Sequence, residues 1–267
     1  PGVEGGAYKL CAAIQEWSDA ARLKVPHHVV DEARTAADVG RLRDALGDIL
    51  EINVERGPAC QSFEADISSN LARLRGMEQF MLDMVEAPEQ LRRLLAFMRD
   101  GITANQEEAE EAGDWSLTSQ HNQEMTYAEE LEAPKANSGP RRRGELWCHC
   151  AAQEYAGVSP RMHDEFLLQY QIPIVSRFGL AAYGCCEDLT HKIGILRRIP
   201  NLRIIAVTPR ADPAKCAEQI GTDYVISWRP NPTNMVCYDF DEAQIRRLIR
   251  EGLKALKGCH ITIHLKD

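Results

Sequence analysis

Two kinds of hydrophobic spacing interleave along this chain. Over 31–46, 71–85 and 88–112 the apolar residues fall at helical intervals. Leu91, Leu94, Leu95, Met98 and Ile102 follow the i, i+3, i+4, i+7, i+11 pattern of one buried helix face. Pro88 and Glu89 mark the start of that helix, and Gly113 marks its end. A weakly periodic arm over about 1–30 comes first, with one short helix at 14–22. Further helices are predicted over 159–170, 189–198 and 213–220, and from a cap at Asp239 to Gly258. Pro173 is predicted to interrupt the first of these, with a further turn reaching Arg177.

Between the helices lie short runs that alternate apolar with polar residues or are apolar throughout. Those at 49–56, 115–119, 145–150, 178–183, 202–208, 224–228 and 259–265 read as strands. In the second half the order strand, loop, helix repeats, and that order demands a parallel sheet with helical crossovers. The expected fold is α/β: one domain over 1–267, a TIM-type (β/α)8 barrel with one strand too few, cut at both ends. Residues 127–144 are rich in Pro, Gly, Lys and Arg and are expected to form a lid.

Composition narrows the partners. The formal net charge is -9, which argues against nucleic acid and anionic membrane surfaces. Arg141, Arg142 and Arg143 follow a Pro/Gly loop and read as a solvated turn. No apolar run is long enough to span a membrane, and no signal peptide is visible. Nine cysteines, an odd number in a chain of this size, fit reduced thiols in the cytoplasm better than a disulfide framework.

The densest chemistry is Ala181-Ala182-Tyr183-Gly184-Cys185-Cys186-Glu187-Asp188, where a strand stops and a helix pattern begins. Strand ends carry the chemistry in α/β barrels. Tyr183 and Cys185, two apart, share a strand face. Thiolate and imidazole suit zinc, so Cys185, Cys186 and Glu187 are candidate ligands, with His149 or Glu154 from a neighbouring strand end. A thiol-rich packed wall explains the same cysteines. In Cys148-His149-Cys150 the histidine points away from both thiols, so one regular strand cannot offer all three to one site. His121, in a polar loop, is either a catalytic group or a loop cap. Arg229 and Asn231, in a rigid Arg-Pro-Asn-Pro turn, suit a carboxylate or an amide-like edge. Glu55, Arg56 and Gln153 complete the expected cleft, and His260 and His264 read as half-buried strand histidines.

Several segments together carry a family resemblance. They are Tyr183-Gly184-Cys185-Cys186-Glu187-Asp188-Leu189, then Ile199-Pro200-Asn201-Leu202-Arg203, then 223–232 with its Arg229-Pro230-Asn231-Pro232 end. Residues 74–84, 158–166 and the ending at 263–267 agree, so the match runs from about Asp31 onward. The chain resembles the uroporphyrinogen decarboxylase superfamily, in its branch with cobalamin- and corrinoid-linked methyltransferases. The resemblance implies an α/β barrel with its cleft at the C-terminal ends of the strands. It implies either zinc-assisted methyl transfer from a small methylated donor to a corrinoid protein or a thiol, or cofactor-free decarboxylation of a porphyrinogen carboxylate. In the methyltransferases a His-x-Cys pair matches Tyr183-Gly184-Cys185, so Tyr183 stands in the place of the histidine; Lys266-Asp267 stands where their last cysteine ligand falls. The roles that follow are catalytic for Tyr183, Glu187, His121 and Arg229, substrate-binding for Glu55, Arg56, Gln153 and Asn231, and metal-binding for Cys185, Cys186 and His149. The expected partners are a small-molecule substrate, a corrinoid protein and a second copy of the chain. A barrel that has lost catalysis and serves as a binding or assembly subunit is the remaining reading.

Overall fold

The structure, a computed structural model, describes residues 11–58, 67–119, 128–236 and 240–265. It is α/β. Five parallel strands form one sheet: β1 (Trp147–Cys150), β2 (Leu180–Tyr183), β3 (Leu202–Val207), β4 (Val225–Trp228) and β5 (His260–Ile263). They pair strictly in chain order. β1 and β5 each have one neighbour, so among the described residues the sheet is open and does not close into the expected barrel.

Two of the expected strands are absent. Residues 51–58 run irregularly, and 115–119 form a turn. Alternation alone cannot make a strand without a ladder partner. In these segments side chains do the pairing instead: Asn53 Nδ2 donates to Thr118 Oγ1 at 2.9 Å, and Asn137 N donates to Asn53 Oδ1 at 2.8 Å.

The helices agree better. α1 (Glu32–Leu46) starts at Asp31, whose carboxylate accepts from Arg34 N. The expected helix over 71–85 is two, α2 (Ile67–Arg75) and α3 (Met77–Glu86). The break is at Gly76, which adopts φ 86, a region a side chain disfavours. α4 (Pro88–Ala112) ends at the left-handed Gly113, as its sequence predicts. α5 (Pro160–His163), a π turn (Asp164–Leu168) and α6 (Gln169–Val175) form one rod, and Pro173 sits inside α6 without interrupting it. In the last turn a missing N–H forfeits one bond only. α7 (Ile193–Leu196) is shorter than predicted, α8 (Pro213–Ile220) is as predicted, and a short α9 (Thr233–Val236) follows β4. α10 (Glu242–Ala255) is capped by Asp241; Asp239 lies outside the described residues. No described helix is long and apolar enough to cross a membrane.

The two sheet faces differ. Cys148, Cys150, Ala181, Tyr183, Ile205, Ile226 and Trp228 join the main core with Leu71, Phe80, Leu91, Leu95 and Phe166 of the helices. The opposite face carries a small cluster of Trp147, Leu180, Ala182 and Ile204, covered by Ala128 and Leu131. Residues 128–142 therefore lie against the start of the strands, where Glu130 pairs with Arg203. They do not cover the C-terminal strand ends as the expected lid would, and Tyr127 lies outside the described residues.

Candidate functional site

The chain leaves β2 at Gly184, whose φ of 105 favours glycine; a Cβ there would meet Leu189 Cδ1 at 2.7 Å and Ala206 Cβ at 2.9 Å. The turn that follows holds Cys185, Cys186 and Glu187. Glu187 is buried and clamps two strand ends. Its Oε1 accepts from Ala152 N, after β1, at 2.7 Å, and its Oε2 accepts from Cys185 N at 2.8 Å. Burial raises the Glu187 pKa against the lowering effect of these bonds and of the nearby Lys192. From β4, the fully buried Arg229 donates Nη1 to the carbonyl of Cys185. The Cys185 peptide is thus held at its N–H by Glu187 and at its C=O by Arg229.

That placement sets one thiol outside and one inside. Cys186 is exposed, Cys185 is 5% accessible, and their sulfurs are 3.5 Å apart. Cys148 and Cys216 are sequestered: burial pushes Cys148 up to about 12 and Cys216 up to about 11. His149, the third predicted ligand, is buried on the opposite side of β1 from Cys148 and Cys150. Its Nε2 is 2.9 Å from the Gly184 carbonyl, so it buttresses the turn from beneath. Among the described residues no group of three His, Cys, Asp or Glu side chains is arranged to hold a metal ion.

Tyr183 is fully buried and reaches no solvent. Its hydroxyl donates to Gln171 Oε1 at 2.8 Å and is 2.9 Å from His163 Nε2; Gln171 Nε2 in turn donates to Ala151 O at 3.0 Å. Desolvation, with Lys192 adding to it, lowers His163 to about 3, so the ring is neutral. Lys192 is buried too, with Nζ donating to Tyr155 O at 2.5 Å and Ala156 O at 3.3 Å; desolvation lowers it to about 8. Sequence reasoning missed His163, Gln171 and Lys192. Their one signal was a polar residue inside an otherwise apolar helical pattern.

The His163 geometry gives a pH dependence. The unfolded ring takes a proton below about 6.5 and the folded ring only near 3, so the unfolded state holds more protons in that window. Stability then rises with pH across it and is lost as pH falls. Thermal melts of wild type and His163→Phe should diverge there, the wild-type slope being steeper by roughly one proton, about 1.4 kcal/mol per pH unit. Parallel slopes would mean that His163 titrates normally.

The remaining predicted residues fall into two places. Gln153 and the half-buried Glu154 follow β1; Glu154 accepts from Ser68 Oγ at 2.6 Å and Ser69 Oγ at 2.9 Å. Asn231 follows β4 and caps its own turn through Thr233 N at 3.0 Å. Arg229 and Asn231 line a cleft of about 340 Å³ with Thr208, Asp212, Leu248 and Glu251. Glu55 and Arg56 are not brought to this end. Glu55 caps the 116–119 turn, accepting from Ser119 Oγ at 2.5 Å, and Arg56 bridges Glu32 and Asp114. Trp115, beside them, packs edge-on against Phe178, just before β2 begins, with ring centroids 5.6 Å apart. His121 lies outside the described residues.

No known protein-family model matches this chain, and no curated protein matches it.

Proposed function

We propose that the chain is a one-carbon transferase, moving a methyl group from a small methylated donor to a corrinoid protein or a thiol. One observation carries the reading: two thiols, 3.5 Å apart, are held at the C-terminal end of a parallel strand. Zinc–sulfur bonds of about 2.3 Å at a tetrahedral angle set two sulfurs roughly 3.8 Å apart, so this pair suits two of zinc's positions. The chemistry such an ion supplies when bound is polarisation of the donor and a lowered pKa for a coordinated thiol. Glu187 and Arg229 hold the Cys185 peptide at both ends, and Tyr183 and His149 support the turn from behind; these four are positioning residues in this reading. In the transfer the acceptor's lone pair forms the new bond to carbon. The donor heteroatom keeps the old bonding pair and takes the thiol's proton when a thiol is the acceptor.

The sheet is read here as the wall of an α/β barrel. Strict chain order without a reversal supports that over a doubly wound sheet, which has a switch point. A helix-covered face opposite one bearing His149, Ser227 and Arg229 supports it as well. A large chain with an odd number of cysteines fits a reducing compartment, the cytoplasm.

Cys185→Ser should lose most bound zinc and most methyl transfer while the fold survives, because the change removes one soft ligand and little volume. Cys216→Ser is the control, since that thiol is buried against Thr190 and should keep its zinc. Unchanged zinc in Cys185→Ser would make Cys185 a packing residue. A second reading, cofactor-free decarboxylation, draws on Arg229 in its cleft as a carboxylate contact. Efficient turnover of uroporphyrinogen by metal-free protein would favour it instead.

A further inference from the structure

Cys185 and Cys186 are the one adjacent pair of cysteines in the sequence, and their sulfurs touch at 3.5 Å. They differ in access: Cys186 is exposed and Cys185 is nearly buried. Neither lies in a strand ladder, because β2 ends at Tyr183. The Cys185 peptide is pinned by Glu187 and Arg229, which keeps its sulfur behind that of Cys186. An exposed thiol backed by a held second thiol is the arrangement of an attacking and a resolving cysteine.

We propose that Cys185 and Cys186 form a thiol–disulfide exchange site whose reaction partner is a small soluble disulfide of the glutathione type. The Cys186 sulfur attacks one sulfur of that disulfide. The disulfide bond breaks, and one thiol leaves with the bonding pair and takes up a proton. The Cys185 sulfur then attacks Cys186 Sγ, expels the second thiol and closes a bond between the neighbouring residues. The protein gives up two protons and two electrons in all, and the disulfide becomes two thiols. Neighbouring Cα atoms are about 3.8 Å apart, closer than the roughly 4.4–6.8 Å that an ordinary disulfide spans. The closed form is therefore strained and readily reduced, so the site opens and closes with the thiol pool. Metal binding plays no part in these steps.

Mass spectrometry tests the proposal on the full chain. Metal is removed with a chelator, oxidised glutathione is added in excess, remaining thiols are alkylated and the protein is digested with trypsin. The peptide Phe178–Lys192 contains Cys185 and Cys186 and no other cysteine. Most of it should lose two hydrogens, resist alkylation and return to the dithiol after dithiothreitol. In Cys185→Ser the peptide should stop at one glutathione adduct, on Cys186. In Cys186→Ser it should remain alkylated under the same treatment. A wild-type peptide that stays a dithiol while the exposed Cys11 gains glutathione would overturn the proposal. So would two separate adducts with no internal bond. The wild-type result decides alone if a variant fails to fold. Because metal is absent and the readout is mass, failure here leaves the zinc reading standing, and a protein without zinc leaves this one standing.

Discussion

Replacing Glu187 with alanine is expected to be among the most damaging single changes in the molecule. Both of its oxygens are used, one by Ala152 N and the other by Cys185 N. The side chain is 2% accessible, so water cannot take over those N–H groups. Two buried donors left unsatisfied cost about 2–6 kcal/mol, which lowers the melting temperature by on the order of 10 °C in a chain of this size. The loss should also loosen the turn. Cys185, held at its carbonyl alone, should react faster with a thiol reagent. Glu187→Gln keeps one acceptor but turns an amide N–H toward a backbone N–H, so it should fall between alanine and wild type. Asp188→Asn is the control, because Asp188 accepts from Thr190 N locally at 2.8 Å and bridges no strands. If Glu187→Ala and Asp188→Asn melt together, the clamp does not hold the strand ends.

How much of this was written in the sequence differs by element. Helices with caps were legible: Asp31, Pro88, Gly113 and Asp212 all sit where local chemistry predicts a start or a stop. The sheet strands were legible because each of the first four is followed by a turn and a helical pattern, and the fifth comes directly after one. The failures share one cause, which is that pairing is not local. Residues 49–56 alternate well enough for a strand, yet among the described residues no neighbouring strand is offered, and Asn53 and Glu55 bond to side chains of a turn instead. At the site, the strand end with its two thiols was visible, but the direction of Glu187 was not. A carboxylate beside two cysteines looks like a ligand, and only the fold shows that it grips Ala152 from the preceding strand. His163 and Lys192 gave only a weak signal, since a polar residue within or beside an apolar helical pattern is usually solvated.

The other large effect is expected far from the thiols, at Arg75. Arg75 Nε and Nη2 form a fork on the Asp83 carboxylate at 2.6 and 3.1 Å, with side chains 5% and 2% accessible. The same guanidinium donates Nη1 to Gln15 O at 2.6 Å and to Ile14 O at 3.2 Å, and it stacks on Trp17 at 4.4 Å. One side chain thus joins α2, α3 and the N-terminal arm at the Gly76 break. Arg75→Ala removes the partner of a buried carboxylate, which costs about 3–5 kcal/mol, and it releases the arm as well. A pair of this kind contributes little net stability once both charges are gone. The double change Arg75→Met with Asp83→Leu should therefore recover most of the loss in melting temperature. It should not restore the arm, whose carbonyls still lack a donor, so proteolysis near Trp17 should stay faster than in wild type. A double variant as unstable as Arg75→Ala would show that the arm contacts, and not the stranded Asp83, carry the penalty.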